Sequence, residues 1–395
     1  NASPCLSWGV RKSVEIVHVV ENLDRGGLER TVVDLIASQR DAGHECRVIC
    51  LFKLGLLARE LLASGVRVDA CGKRPGLDLR ALRRARALIR QSPDAVIHTH
   101  NAMAHYYAVL ASLGLPVKCR INTRHGMGGR TRSGRQEWLY RQSLRGTDYA
   151  VAVCEAARQR FAADGMRPRR ALLSVPNGIR LERFRPADDV ARQSLVAELG
   201  LPTGSRIIGT VGRLQPVKDH ALLLRAFAKV RVQVPEAALV IVGDGPLRAA
   251  LEAQAEQAGL SDALRFMGDR HDVPRLLTGM EVFALTSTSE GYSVALLEAC
   301  ASSLPIVATD VGGNREIVRH GINGRLVPSG DTAAIATALI ALLRGGEQAA
   351  AMGRAGYAWA QAEASFRTMA ERYHGLYDVS SDLSSAAMAL PGRVS

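Results

Sequence analysis

Aromatic residues are scarce in this chain of 395 residues, at 5% of the total, and basic stretches with regularly interleaved aromatics, the pattern of single-strand nucleic-acid grooves, do not occur. No run of about 18 apolar residues is present, which excludes an obvious transmembrane helix. The seven cysteines are odd in number and scattered, without CxxC pairs. That argues against a disulfide framework and a zinc site and is expected of a reducing cytoplasm. No GxGxxG follows a strand, since the nearest glycine pair lies in DRGGLER, so a dinucleotide-dependent oxidoreductase is disfavoured. Internal repeats are missing too. The chain opens on Asn1-Ala2 without Met and without a long apolar signal region, which reads as an artificial start.

What is present is a large apolar core and an uneven charge. The 47% hydrophobic content, rich in Val, Leu and Ala, suits an α/β protein of about two domains. The net charge is +13, but residues 1–186 hold 32 Lys+Arg against 16 Asp+Glu, whereas residues 187–395 hold 19 against 22. Only the first half is basic. Such a half suits an anionic membrane surface or nucleic acid. Arg80, Arg83, Arg84, Arg86 and Arg90 on a helix over 78–91 read as a solvated amphipathic face. The stretch 129–145, with Arg130, Arg132, Arg135, Arg141 and Arg145 beside Trp138, Leu139 and Tyr140, is the better membrane candidate.

Short apolar runs alternate with helical periodicity throughout. Strands are expected at 14–20, 46–52, 66–70, 95–99, 118–123 and 148–153, and a second series at 207–211, 238–242, 264–267, 281–285, 305–308 and 325–327. The fold class is α/β, with two doubly wound Rossmann-like domains facing across a cleft. The expected divisions are 1–187, 188–362, a C-terminal helix over 363–379 crossing back to the first domain, and a disordered tail over 380–395.

The segment SEGYSVALLE places Glu290 in a loop and Glu298 in the second turn of a helix, with Ser293 as N-cap. A helix N-terminus favours phosphate, and flanking carboxylates accept hydrogen bonds from hydroxyls. The pattern suits a ligand carrying both phosphate and sugar. GTVGRLQPVKDH ends another strand with Arg213 and Lys218, a guanidinium fork and an ammonium suited to a diphosphate. VGDGP ends a third.

GRLQPVKD, VGDGP, SEGYSVALLEA, PIVATDVGGNREIV and GINGRLV, in order after DRGGLER, IHTHN, TRHG and PNGI, resemble the retaining GT-B glycosyltransferases of family 4. The resemblance spans about residues 14–375. It implies that Arg213 and Lys218 stabilise the departing nucleoside diphosphate, that Glu298 holds the ribose, and that Glu290 contacts the donor sugar. Backbone N–H groups of Gly291, Tyr292, Ser293 and Val294 would meet sugar and phosphate, and Gly26-Gly27 would let their loop approach the diphosphate. His125 matches the active-site histidine, while His98, His100 and Asn101, with Asn177, are candidates for the acceptor side.

No Asp-x-Asp pair stands where a metal-bound diphosphate would need it, so activity without an obligatory metal or cofactor is expected, the nucleotide sugar being a substrate. The resemblance implies front-side displacement with retention, from UDP-glucose or UDP-N-acetylglucosamine to a glycan or lipid-linked acceptor in bacterial exopolysaccharide or lipopolysaccharide synthesis. The expected location is cytoplasmic, peripheral on the inner face of the membrane. A UDP-sugar epimerase or sugar phosphorylase on the same fold is the alternative. A non-enzymatic nucleic-acid-binding protein, suggested by charge alone, is weaker, and no nucleic-acid partner is expected.

Overall fold

The computed structural model describes residues 13–24, 26–127 and 134–377. The first sheet contains β1 (Glu15–Val20), β2 (Glu45–Cys50), β3 (Arg67–Ala70), β4 (Val96–His100), β5 (Cys119–Arg124), β6 (Tyr149–Ala152) and β7 (Ala171–Ser174) in the order β3-β2-β1-β4-β5-β6-β7. The second contains β8 (Arg206–Val211), β9 (Ala237–Val242), β10 (Leu264–Phe266), β11 (Val282–Leu285), β12 (Ile306–Thr309) and β13 (Gly324–Val327) in the order β10-β9-β8-β11-β12-β13. Every paired strand is parallel. The strand order reverses between β1 and β4 and again between β8 and β11. Open α/β sheets bind ligands at such switch points, beyond the carboxyl ends of the strands.

The twelve strands expected from apolar runs all form. β7 is additional to them. It lies at the sheet edge and is only half-buried over most of its length, so it lacks the continuous apolar run that marks a strand covered on both faces. The helix Leu79–Ile89 is capped by Asp78, whose carboxylate accepts from the Arg80 and Ala81 N–H groups, and it buries Ala81, Ala85, Leu88 and Ile89. Arg80, Arg83, Arg84 and Arg90 are exposed. Of the second basic stretch, the helix Gly134–Ser143 exposes Arg135, Trp138 and Arg141, while Arg130 and Arg132 lie outside the described residues, as does the expected tail.

The C-terminal helix Phe366–Tyr377 packs on the first sheet, not the second. Phe366, Met369, Tyr373 and Tyr377 join Ile16, Leu35, Val96, Ile121 and Val151 in one buried cluster. The two chain crossings between domains are hydrogen-bonded to each other: the Ile179 N–H donates to the Ala364 carbonyl (2.8 Å) and the Phe366 N–H to the Ile179 carbonyl (3.2 Å). A second tie crosses the interface lower down. The Glu316 carboxylate of the second domain accepts from the Glu155 N–H (2.9 Å) and the Ala156 N–H (3.0 Å), filling donors left open at the start of the first-domain helix Glu155–Ala163. Glu316→Ala should therefore destabilise the protein by about 1 kcal/mol, the usual cost of a lost cap. Thermal unfolding of the variant checks this; an unchanged midpoint would show that the bond is not felt.

Candidate functional site

Three loops at the carboxyl ends of β9, β8 and β11 are hydrogen-bonded into one platform. The Leu214 N–H donates to the Asp244 carbonyl (3.0 Å), the Thr288 N–H to the Val217 carbonyl (2.8 Å), and the Thr286 hydroxyl to the Lys218 and Asp219 carbonyls at 3.1 and 3.0 Å. These bonds hold Lys218 against the loop after β11. Its Nζ donates to Glu290 Oε1 at 2.6 Å, and the Ser287 hydroxyl donates to the same oxygen at 2.6 Å. The cation expected to grip phosphate and the acid expected to grip sugar are thus already paired. Arg213 is exposed at the end of β8 and forms no ion pair among the described residues, leaving its guanidinium fork available for a bidentate anion.

The loop 290–293 is seated by close backbone approaches. A Cβ at Gly291 would come within 2.7 Å of Gly126 Cα, and one at Gly312, whose φ is +53°, within 1.8 Å of the Glu290 carbonyl oxygen. Neither position tolerates a side chain. The Gly313 N–H donates to the Gly291 carbonyl at 3.0 Å. Ser293 stands at the N-cap position of the helix Val294–Ala301, but its side chain makes no capping bond. Its hydroxyl is instead buried without a protein partner among the described residues. An unpaired hydroxyl beside free helix N–H groups is suited to a phosphate oxygen. Tyr292 is buried, and its carbonyl accepts from Asn177 Nδ2 at 3.4 Å. Asn177 thus braces this loop; its own carbonyl oxygen is buried and has no partner among the described residues.

Glu298, one turn further along, is half-buried and forms no ion pair among the described residues. Burial alone pushes its carboxyl up to about 7. Together with Val294, Gly26 and Gly27 it lines a cleft of about 1210 Å³ between the domains. Gly26 is extended, and a side chain there would meet Glu29 Oε2 at 2.2 Å. Glu29 was not among the expected site residues. Its carboxylate faces its own backbone N–H at the start of the helix Gly27–Asp41, and its pKa is raised by burial first, with Asp24 and Glu21 adding to the rise and the backbone bond and the Arg213 charge opposing it. The signal lay in DRGGLER: an acid two residues into a helix that opens on glycine.

The first-domain histidines divide. His125, at the end of β5, is half-buried beside Gly126, and burial lowers its pKa to about 4. Asn101, at φ +63°, accepts the His125 N–H with its side-chain oxygen at 3.2 Å. The expectation that His98 and His100 line the acceptor side is corrected. They are 0% and 2% exposed, because inward positions on β4, next to β1, point them under the covering helices. His98 Nε2 bonds the Thr123 hydroxyl at 2.9 Å.

The arrangement offers two cations, a helix N-terminus with an open hydroxyl, and two carboxylates on one platform facing a second Rossmann-like sheet. Groups of these kinds suit a ligand that carries both phosphate and hydroxyls. A family model described as "Glycosyl transferases group 1" matches residues 191–359, and one described as "Glycosyltransferase Family 4" matches residues 25–183. "Putative glycosyltransferase EpsF" of Bacillus subtilis (strain 168) is 30% identical over 311 residues, covering 75% of this chain and 79% of its own. A GDP-mannose-dependent alpha-(1-6)-phosphatidylinositol monomannoside mannosyltransferase of Mycobacterium tuberculosis (strain CDC 1551 / Oshkosh) is 33% identical over 236 residues, 58% of this chain and 60% of its own. The structure of Anabaena Alr3699/HepE in complex with UDP and glucose superposes with a TM-score of 0.82 at 20% identity, covering 93% of this chain and 100% of that one. The chain belongs to glycosyltransferase family 4 and transfers a sugar from a nucleotide donor.

The half-buried Glu298 makes stability depend on pH. Because its pKa is raised in the folded protein, the unfolded chain releases this proton first; the stabilisation present below the ordinary value of 4.5 is lost as pH rises towards about 7. Denaturant unfolding from pH 4.5 to 7.5 should show this fall in the native chain and a flatter profile in Glu298→Gln.

Proposed function

We propose that the protein is a retaining, metal-independent hexosyltransferase that moves glucose or N-acetylglucosamine from a UDP-linked donor to a glycan or lipid-linked acceptor in bacterial surface-polysaccharide synthesis. The observation that carries the reading is the platform itself: Lys218, in the loop after β8 that also carries Arg213, is bonded to Glu290, which stands just before the helix start at Ser293, and Glu298 lies on that helix. In this reading Arg213 and Lys218 stabilise the charge of the leaving UDP, an electrostatic role that two fixed cations can fill without a metal. Glu298 accepts from the ribose hydroxyls. Donor binding exchanges the Lys218–Glu290 pair for phosphate on one side and sugar hydroxyls on the other.

HepE's UDP supports the base, whereas the mannosyltransferase named above uses GDP-mannose, so GDP donors are the competing case. That same relative acts on a phosphatidylinositol-linked acceptor, which supports the lipid-linked reading. Among the described residues no helix is long and apolar enough to cross a membrane. Exposed Arg135, Trp138 and Arg141 on one helix, in a first half carrying 32 basic against 16 acidic residues, fit a peripheral position on the anionic inner leaflet. Each cation near such a surface contributes about 1 kcal/mol. Neutralising Arg135 and Arg141 should sharply reduce flotation with anionic vesicles but not with zwitterionic ones.

The deciding experiment is thermal stabilisation by UDP, GDP and their sugars. Ligand at 100 times its dissociation constant should stabilise by about 2.7 kcal/mol. A UDP response that survives EDTA and disappears in Glu298→Ala supports the proposal; a response to GDP alone would reassign the donor, and loss in EDTA would remove metal independence. Arg213→Ala or Lys218→Ala should lower turnover by about a hundredfold or more. Retention is tested by the anomeric configuration of the product, and front-side displacement by the lack of a trappable sugar adduct on any side chain.

A further inference from the structure

A row of buried side chains runs from Gln39 on the helix Gly27–Asp41 to His125, whose neighbour Gly126 closely approaches Gly291 of the second domain. Gln39 Oε1 lies 2.8 Å from His18 Nε2, His18 Nδ1 3.1 Å from His100 Nε2, and His100 Nδ1 3.2 Å from His125 Nε2. Gln39, His18 and His100 are 1%, 0% and 2% exposed. Outside the row, Gln39 Nε2 donates to the Tyr377 hydroxyl, whose own partner is His98 Nδ1 at 3.4 Å. The C-terminal helix thereby holds the amide with its oxygen towards His18.

His18, His98 and His100 bring ring nitrogens within 4.8 Å of one another, a spacing at which a metal has to be weighed. The geometry of the row decides against it. Ring centroids stand 5.4 Å apart for His18 and His100 and 5.5 Å for His100 and His125. Each value exceeds the nitrogen separation by about 2.3 Å, roughly twice the distance from an imidazole centroid to its nitrogen. The two nitrogens of each pair therefore lie almost on the line between centroids, as in a straight N–H···N bond. An ion bridging His18 and His100 on that line would sit at half of 3.1 Å from each nitrogen, far inside the metal–nitrogen distance of about 2.0–2.1 Å.

A straight chain of neutral imidazoles has a direction. An amide oxygen only accepts, so His18 Nε2 carries the proton and Nδ1 is bare. His100 must then donate from Nε2 and accept at Nδ1, and His125 must donate from Nε2. Burial keeps the rings neutral, holding His18 and His125 down to about 4 and His98 and His100 well below their ordinary value. His125 Nδ1 is left with a lone pair and no protein partner among the described residues.

We propose that Gln39 and His18 are positioning residues for the transfer reaction, setting through His100 the Nε2–H tautomer of His125 so that its Nδ1 accepts a hydrogen bond from a donor-sugar hydroxyl in the cleft. The substrate part of this inference rests on the nucleotide-sugar reading above; the tautomer does not. Gln39 lies at the far end of the helix whose N-cap is Gly26 and whose first turn carries Glu29.

The test begins without substrate. In protein labelled with 15N,13C-histidine, the His125 signal is identified by its loss in His125→Gln, and its shifts report the tautomer. Nε2–H is expected, and Nδ1–H in the native chain would overturn the proposal. Gln39→Met removes the acceptor with little change of shape, and His18→Phe breaks the row. In each, His125 should become a tautomer mixture, and the kcat for UDP release from UDP-glucose should fall by about tenfold or more, as for other lost orienting partners, with UDP affinity within about twofold. Gln39→Glu, which restores an acceptor, should recover most of the loss. Unchanged tautomer and turnover in folded Gln39→Met and His18→Phe would also overturn the proposal. If those variants do not fold, the native tautomer decides. A native chain that shows the Nε2–H form but releases UDP from no UDP-sugar would remove the donor reading and leave the histidine row standing.

Discussion

The site depends on the return of the C-terminal helix to the first sheet. Phe366, Met369, Tyr373 and Tyr377 give up their apolar surface there, at roughly 1.5–3 kcal/mol for each large side chain fully buried. Because the chain has come from the second domain, this burial also brings the two domains together. The paired crossings at Ile179 and Phe366 then act as a short seam about which the domains meet, and Glu316 on the first-domain helix start closes the interface at a second point. Loops from two independent sheets acquire a common geometry through a helix that packs on the first of them.

The same helix links packing to polarity. Tyr373 and Tyr377 are fully buried, so each hydroxyl must find a partner. Tyr373 meets Thr123 at 2.7 Å and Tyr377 meets Gln39 and His98. The polar row under the cleft is thus part of the seal beneath the C-terminal helix. Its members are neutral because charging any of them would leave an ion in a dry core.

Features carried by local sequence were legible. The apolar runs of parallel strands, the helix start after Ser293 and the cations after β8 all lie within short segments. Features carried by distance were not. Gln39 and His18 look like an ordinary helix amide and a strand histidine until β1 and β4 are placed side by side, with His18 opposite His98. Glu316 lies inside the quoted PIVATDVGGNREIV, yet its partner at Glu155 is 161 positions away. His98 and His100 were read as cleft residues because they end a strand. Strand position alone does not say whether alternate side chains rise to the rim or turn under the covering helices.

The Lys218 ammonium is paired with Glu290, and the Glu29 carboxylate lies over the start of its own helix, so these charges are answered within the protein. Inorganic phosphate could displace one of these acids but offers no hydroxyl-bearing sugar to the acid set free, which would be left as an uncompensated charge. A molecule that carries both an anion and hydroxyls answers the cation and the acid together. On the proposed function, discrimination between a nucleotide sugar and its fragments starts from this pairing, before any atom of the sugar is read.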